Sequence, residues 1–262
     1  MEIERRTVDT RDGRIVVYEA GQGPRTVVCL HGWTRAPRVW FNVLQATPPG
    51  YRAVAPDQLL ESDPPRGGYT IPALADRVAA LLDALGIERA CVAGHSMGGG
   101  VALDFALRYP ARVERLALIC TGAHTAREGT SGGAAAIKLL RATGKTPETM
   151  RQIVRGWFHD DPPAAEMDAM LADAMLWPER ALFDLRASME ASDYRPRLGE
   201  IGVPTLVVHG EHDHGRPLDQ AQALAVGVQR GRLVVIAGCG HTPSQEAPAE
   251  FNRHFWAFMK GE

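Results

Sequence analysis

The chain has 262 residues, 45% of them hydrophobic, with a formal net charge of −2 and a pI near 6.5. That length suits one large α/β domain, or a core domain carrying an insertion, and the near-neutral balance offers no basic face for nucleic acid or an anionic membrane. No apolar run approaches the roughly 20 residues that span a bilayer, and "MEIERRTVDT" lacks the apolar stretch of a secretory signal, so the expectation is a cytoplasmic protein.

From the N-terminus, short apolar runs alternate with amphipathic stretches. Strands are predicted at 14–20 ("RIVVYEA"), 26–32 ("TVVCLHG"), 51–57, 89–95, 113–120, 204–210 and 232–238. Several are apolar on consecutive positions, which suits central parallel strands covered on both faces. The first strands, joined by "DG" and "GQGP", read as an antiparallel edge hairpin. Between strands, Ile71, Leu74, Val78, Leu81, Leu82 and Leu85 follow helical spacing, and a second helix is predicted over 97–109, stopped by Pro110. This alternation predicts an α/β fold with a mostly parallel, doubly wound sheet. It lapses over residues 121–195, which read as an inserted helical cap holding five of the eight methionines. The predicted organisation is thus core (1–120), cap (121–195) and core again (196–262). Cys29, Cys91, Cys120 and Cys239 show no CxxC spacing and read as reduced, buried thiols.

The stretch "CVAGHSMGGG" puts Ser96 between a strand and a helix, with Gly94 and Gly98 flanking it. Gly-x-Ser-x-Gly at such a junction is a nucleophile elbow: a sharp turn that projects the hydroxyl and aims a helix N-terminus at it. Gly99 and Gly100 are expected to let that helix approach the sheet. A serine hydroxyl needs a base, and of nine histidines His241 has the best setting, in a short glycine-containing loop ("GCGH") after the last strand. The imidazole in turn needs an acid to fix its tautomer. Asp213 in "GEHDHGRP" is favoured over Glu211 and Asp219. The same loop's His209, His212, Asp213 and His214 raise a metal site, but no second ligand cluster accompanies them, and no metal or organic cofactor is expected.

With those residues in place the chain resembles the α/β-hydrolase family from about residue 14 onward. "LHGW" (30–33), "GHSMGG" (94–99), the Gly210, Asp213 and Pro217 spacing, and "GCGH" (238–241) match the family's motifs in order. The resemblance implies an oxyanion hole from the backbone N–H groups of Trp33 and Met97. "DQLLESDPP" (57–65) departs from the family's usual arginine- and glycine-containing loop. The likeness is strongest to small carboxylesterases and lactonases, including enol-lactonase-like members. It implies that Ser96, with His241 and Asp213, cleaves an ester or lactone through an acyl-enzyme, and the apolar cap suggests a small-to-medium, mostly apolar substrate. Trp33, Trp157, Phe158, Met167, Met170 and Trp177 are candidate lining residues. The same three groups also serve hydrolysis of a carbon–carbon bond in a β-diketone or vinylogous substrate, and a non-catalytic ligand receptor is the reading from another class.

Overall fold

A computed structural model describes residues 1–125 and 132–262. The strands are β1 (Glu4–Thr10), β2 (Gly13–Ala20), β3 (Arg25–Leu30), β4 (Tyr51–Pro56), β5 (Ala90–His95), β6 (Val113–Ile119), β7 (Thr205–Gly210) and β8 (Gly231–Ile236). The helices are α1 (Phe41–Gln45), α2 (Ile71–Ala84), α3 (Met97–Arg108), α4 (Gly132–Thr143), α5 (Pro147–Arg155), α6 (Ala164–Leu176), α7 (Glu179–Ala191), α8 (Leu218–Gly227), α9 (Pro243–Glu246) and α10 (Pro248–Lys260). The strands form a single eight-stranded sheet in the order β1-β2-β4-β3-β5-β6-β7-β8, parallel from β4 to β8.

The edge hairpin β1–β2 is antiparallel, as predicted from the "DG" turn. The "GQGP" turn does not join neighbouring strands: β4 lies between β2 and β3, antiparallel to the first and parallel to the second. A turn sequence reports a reversal of the chain, and a crossover from elsewhere is free to occupy the position beside it.

Alternation along the central strands builds two cores. Val28, Leu30, Val92, Leu116, Leu118 and Val207 face α2, α3 and the inserted helices. Their neighbours Val27, Cys29, Cys91, Ala93, Ala117, Ile119, Leu206 and Val208 face α1 and α10, where Trp40, Phe251, Phe255 and Trp256 pack. Both faces being covered, β5 and β7 are buried at every residue, which is why each carries apolar residues at consecutive positions. All four cysteines are free and buried.

Helices α4–α7 are inserted between β6 and β7. Three tryptophan indoles tie this insertion to the loop after β3. Trp33 Nε1 donates to Leu182 O (3.0 Å), Trp157 Nε1 to Thr34 Oγ1 (3.1 Å) and Trp177 Nε1 to Arg35 O (2.9 Å). Each ring buries apolar area while its one donor finds an acceptor on the other side. Among the described residues, no helix is long and apolar enough to cross a membrane.

Candidate active site

The loops after β3, β5, β7 and β8 all leave the C-terminal edge of the parallel sheet, where open α/β sheets place their ligands. Ser96 caps β5 and precedes α3 with φ 53° and ψ −112°. A non-glycine residue there carries roughly 1–3 kcal/mol of strain. The strain is held by hydrogen bonds: Ser96 N donates to Ile119 O (2.8 Å), and Thr121 Oγ1 donates to Ser96 O (2.8 Å). The flanking glycines are required by contact. A Cβ on Gly94 would lie 2.1 Å from Gly98 O, and one on Gly98 would lie 2.3 Å from Leu30 O. Gly99 is likewise pressed on Thr121, but Gly100 faces open space, so the close approach predicted for both rests on Gly99. The other non-glycine residues with positive φ, among those described, are Thr34 and Cys120, which also sit at this edge.

Asp213 follows β7 and meets the loop after β8. His241 Nδ1 is 2.8 Å from both carboxylate oxygens of Asp213. Asp213 Oδ1 also accepts from the N–H groups of Gly215 (2.7 Å) and Arg216 (3.0 Å). Burial alone would raise this carboxyl, but the charge and hydrogen bond of His241 hold it below its ordinary value. The rivals are at the surface: Glu211 and Asp219 are exposed, and Glu211 caps the Gly238 N–H. The histidine's backbone is pinned at both ends. Its N–H donates to Trp157 O (2.8 Å), and His95 Nε2 lies 2.7 Å from its carbonyl. A carbonyl only accepts, so His95 carries its proton on Nε2. Burial pushes the His95 ring well below its ordinary pKa and keeps it neutral.

Of the four polar groups that raised a metal site, His212 stacks on His159 (4.0 Å) and His214 is exposed. His209 does stay near Asp213, 3.9 Å from Oδ2, and with Cys120 the three offer ligand atoms within 4.8 Å of one another. The carboxylate in that group is already engaged by His241 and two backbone donors.

Ser96 and His241 line one cavity, together with Trp33 from the loop after β3 and Trp157 from the insertion. Met97 begins α3 and borders a second space that shares Ser96 and Arg216 with the first. Of the six predicted lining residues, Trp33 and Trp157 line the main cavity. Phe158, Met167, Met170 and Trp177 do not: they fill the seam between insertion and core. Phe158 lies under the Arg35 guanidinium, Met170 Sδ accepts from Gln245 Nε2, and Trp177 packs edge-on against His31. Large apolar side chains gain most from complete burial, so composition alone could not separate seam from cavity.

What composition did not suggest is charge. Arg35, Arg186 and Arg216 line the cavity, all nearly buried. Burial pushes the Arg35 and Arg216 guanidiniums down to about 10. One signal was available: Arg186 falls in register with Leu182, Leu185 and Met189 on the buried stripe of α7, where a charged residue is out of place.

The atypical 57–65 loop is organised by Asp57. Its carboxylate accepts from the backbone N–H groups of Leu59, Leu60, Glu61 and Ser62. Gln58 ties it to the loop after β3, its N–H donating to His31 Nε2 and its amide to His31 O.

Comparison with known proteins agrees with this architecture. The chain is 34% identical to a 2-hydroxy-6-oxo-6-phenylhexa-2,4-dienoate hydrolase of Comamonas testosteroni, covering 96% of this chain and 93% of that one. It is 34% identical to a 2-hydroxy-6-oxononadienedioate/2-hydroxy-6-oxononatrienedioate hydrolase of Paraburkholderia xenovorans strain LB400, covering 95% and 92%. Among solved structures it resembles the enol-lactonase from Burkholderia xenovorans LB400, with TM-score 0.83, 25% identity and coverage of 97% and 100%. Residues 27–254 match the alpha/beta hydrolase family, and the chain therefore belongs to that family as a hydrolytic enzyme.

Proposed function

We propose that this hydrolase cleaves a carbon–carbon bond in an acidic vinylogous diketone, with Ser96 as nucleophile, His241 as base and Asp213 orienting it. The observation that carries the reading is the buried positive charge beside Ser96, which an ester of a simple apolar acid leaves uncompensated. The relatives named above are hydrolases of 2-hydroxy-6-oxo dienoates, whose carboxylate supplies that compensation.

The chemistry balances with the groups present. The dienol first loses its 2-hydroxyl proton and gains one at C5, giving a 2,6-diketone with a C3–C4 double bond. Ser96 Oγ adds to the C6 carbonyl as His241 takes the hydroxyl proton. The oxyanion falls to the backbone N–H groups proposed for it, those of Trp33 and Met97. Collapse breaks C5–C6, and the electron pair spreads from C5 to the oxygen at C2 as a dienolate. That negative charge develops beside the substrate carboxylate, where the guanidiniums favour it. His241 returns its proton to the dienolate, then activates water to hydrolyse the acyl-Ser96.

A second reading, ester or lactone hydrolysis by the same three residues, is supported by the likeness to the enol-lactonase. Parallel turnover on a dienol ketone, followed by loss of its visible absorbance, and on esters and lactones separates the two. The expected result is a larger kcat/KM on the dienol ketone, abolished by Ser96→Ala. Turnover confined to esters or lactones would give the second reading the field, and a Ser96→Ala variant with most of its activity would end both.

A further inference from the structure

Asp213 has two neighbours that the proposed reaction does not use, Cys120 and His209. Cys120 follows β6 with φ 48° and is held beside β7, its N–H donating to Val208 O (2.9 Å). His209 lies within β7, four residues before Asp213. All three are buried, and none of them lines either cavity. Cys120 Sγ, a ring nitrogen of His209 and a carboxylate oxygen of Asp213 lie within 4.8 Å of one another.

The three are short of a donor. One nitrogen of the His209 ring meets the Arg216 backbone carbonyl and so carries the ring proton. The other, Nδ1, is a bare lone pair. It is buried, has no hydrogen-bond partner among the described residues, and lies 3.9 Å from Asp213 Oδ2. The Cys120 thiol gives its hydrogen bond to the same carboxylate. An imidazole lone pair, a sulfur and a carboxylate oxygen thus face one another across a single thiol proton. A buried acceptor left unpaired costs stability, and a cation in place of that proton engages all three. Imidazole, thiolate and carboxylate are ligands of zinc, and three protein ligands leave its fourth tetrahedral position open. With metal–ligand bonds of about 2.0–2.3 Å, the ligand atoms around one ion stand roughly 3.5 Å apart. The 3.9 Å between His209 Nδ1 and Asp213 Oδ2 therefore asks for little closing movement.

We infer that Cys120, His209 and Asp213 form an inhibitory site for a divalent cation of the zinc class. The ion displaces the Cys120 thiol proton, which leaves to water, and is held by the thiolate, His209 Nδ1 and Asp213 Oδ2. Oδ1 keeps its bonds from the Gly215 and Arg216 N–H groups. The carboxylate charge that orients His241 Nδ1 at 2.8 Å is drawn to the metal instead. Catalysis stops while the substrate cavity is unaltered. The inhibition, though not the metal binding, rests on the proposed pairing of Asp213 with His241.

The test uses Cd²⁺, which reports a thiolate ligand by an ultraviolet charge-transfer band, on the full-length wild type and on Cys120→Ala. The assay substrate is whichever one the wild type turns over fastest. Incubated with Cd²⁺, the wild type should gain the band. Its kcat should fall by up to ~10⁴-fold at saturation, the loss for disabling the acid of such a relay, with KM unchanged and activity restored by a chelator. Cys120→Ala should show neither the band nor the loss. No band in the wild type, a band of equal size in folded Cys120→Ala, or inhibition that acts by raising KM would overturn the site. Should Cys120→Ala fail to fold, His209→Phe decides, because it keeps a ring in the space and removes the lone pair. It should weaken Cd²⁺ binding by at least ~10- to 100-fold, the loss for removing only an outer partner of a metal ligand, and an affinity equal to wild type overturns the proposal. A Cys120-dependent band with kcat intact would uphold the metal site, overturn its inhibitory role and remove Asp213 from the proposed relay.

Discussion

Replacing Asp213 by asparagine tests the proposed proton relay through one atom. Oδ1 of Asp213 accepts the N–H groups of Gly215 at 2.7 Å and Arg216 at 3.0 Å. An amide NH2 cannot stand there, facing two donors, so the asparagine carbonyl takes the Oδ1 place and its NH2 takes that of Oδ2. Oδ2 lies 2.8 Å from His241 Nδ1. An NH2 at that distance donates to Nδ1 and drives the imidazole proton to Nε2, the nitrogen that must accept from Ser96. The side chain keeps its shape and its two backbone partners, so the fold should survive with a melting temperature close to wild type. Catalysis should not: a misplaced tautomer of this kind costs about 10⁴-fold in kcat, or about 5 kcal/mol in the barrier. Steady-state kcat on whichever substrate the wild type turns over fastest, with circular dichroism to verify folding, measures it. A loss of less than tenfold in folded protein would refute the argument.

Three other substitutions follow from contacts on the page. Gly98→Ala sets a methyl group 2.3 Å from Leu30 O and 2.7 Å from His31 O, atoms of a central strand and its loop that cannot swing aside. It should cost roughly 3 kcal/mol and lower the melting temperature by about 6–12 °C, whereas Gly100→Ala, facing open space, should stabilise the helix by about 0.5–1 kcal/mol; equal melting temperatures for the two would count against the packing account. Trp177→Phe leaves the Arg35 carbonyl unpaired in a buried seam; a loss of about 1–3 kcal/mol in denaturant unfolding is expected, and an unchanged midpoint would show that the seam repacks. Burial alone would raise the Asp57 carboxyl, but His31 and the backbone N–H groups of its turn more than offset this and hold it at about 2. With an unfolded value near 4, this stability is complete above about pH 4 and is lost as pH falls through 2. Asp57→Asn should therefore cost about 2 kcal/mol at pH 7 and progressively less towards pH 2, and a penalty that does not shrink on acidification would contradict the linkage.

Much of this protein is written locally. The Gly-x-Ser-x-Gly turn is legible because the crowding at residues 94–98 involves the turn itself and the strand ends beside it. The strands β3, β5 and β7 are legible because a strand covered on both faces must be apolar at consecutive positions. His241 and Asp213 were marked by position, each in a short loop leaving a strand at the edge where Ser96 stands. The sequence alone thus determined seven of the eight strands, the fold class and three residues that the edge of the sheet gathers.

What lines the cavity was decided only by tertiary structure. Arg35, Arg186 and Arg216 come from the loop after β3, from α7 and from the loop after β7, and no local pattern relates them. Likewise Trp157 and Phe158 are neighbours in sequence, yet one faces Ser96 and the other sits beneath Arg35 in the seam. Which side chain turns inward depends on how the inserted helices settle on the core, and that is fixed by packing between segments more than a hundred residues apart. Local periodicity records which face of an element is buried, but not what it is buried against.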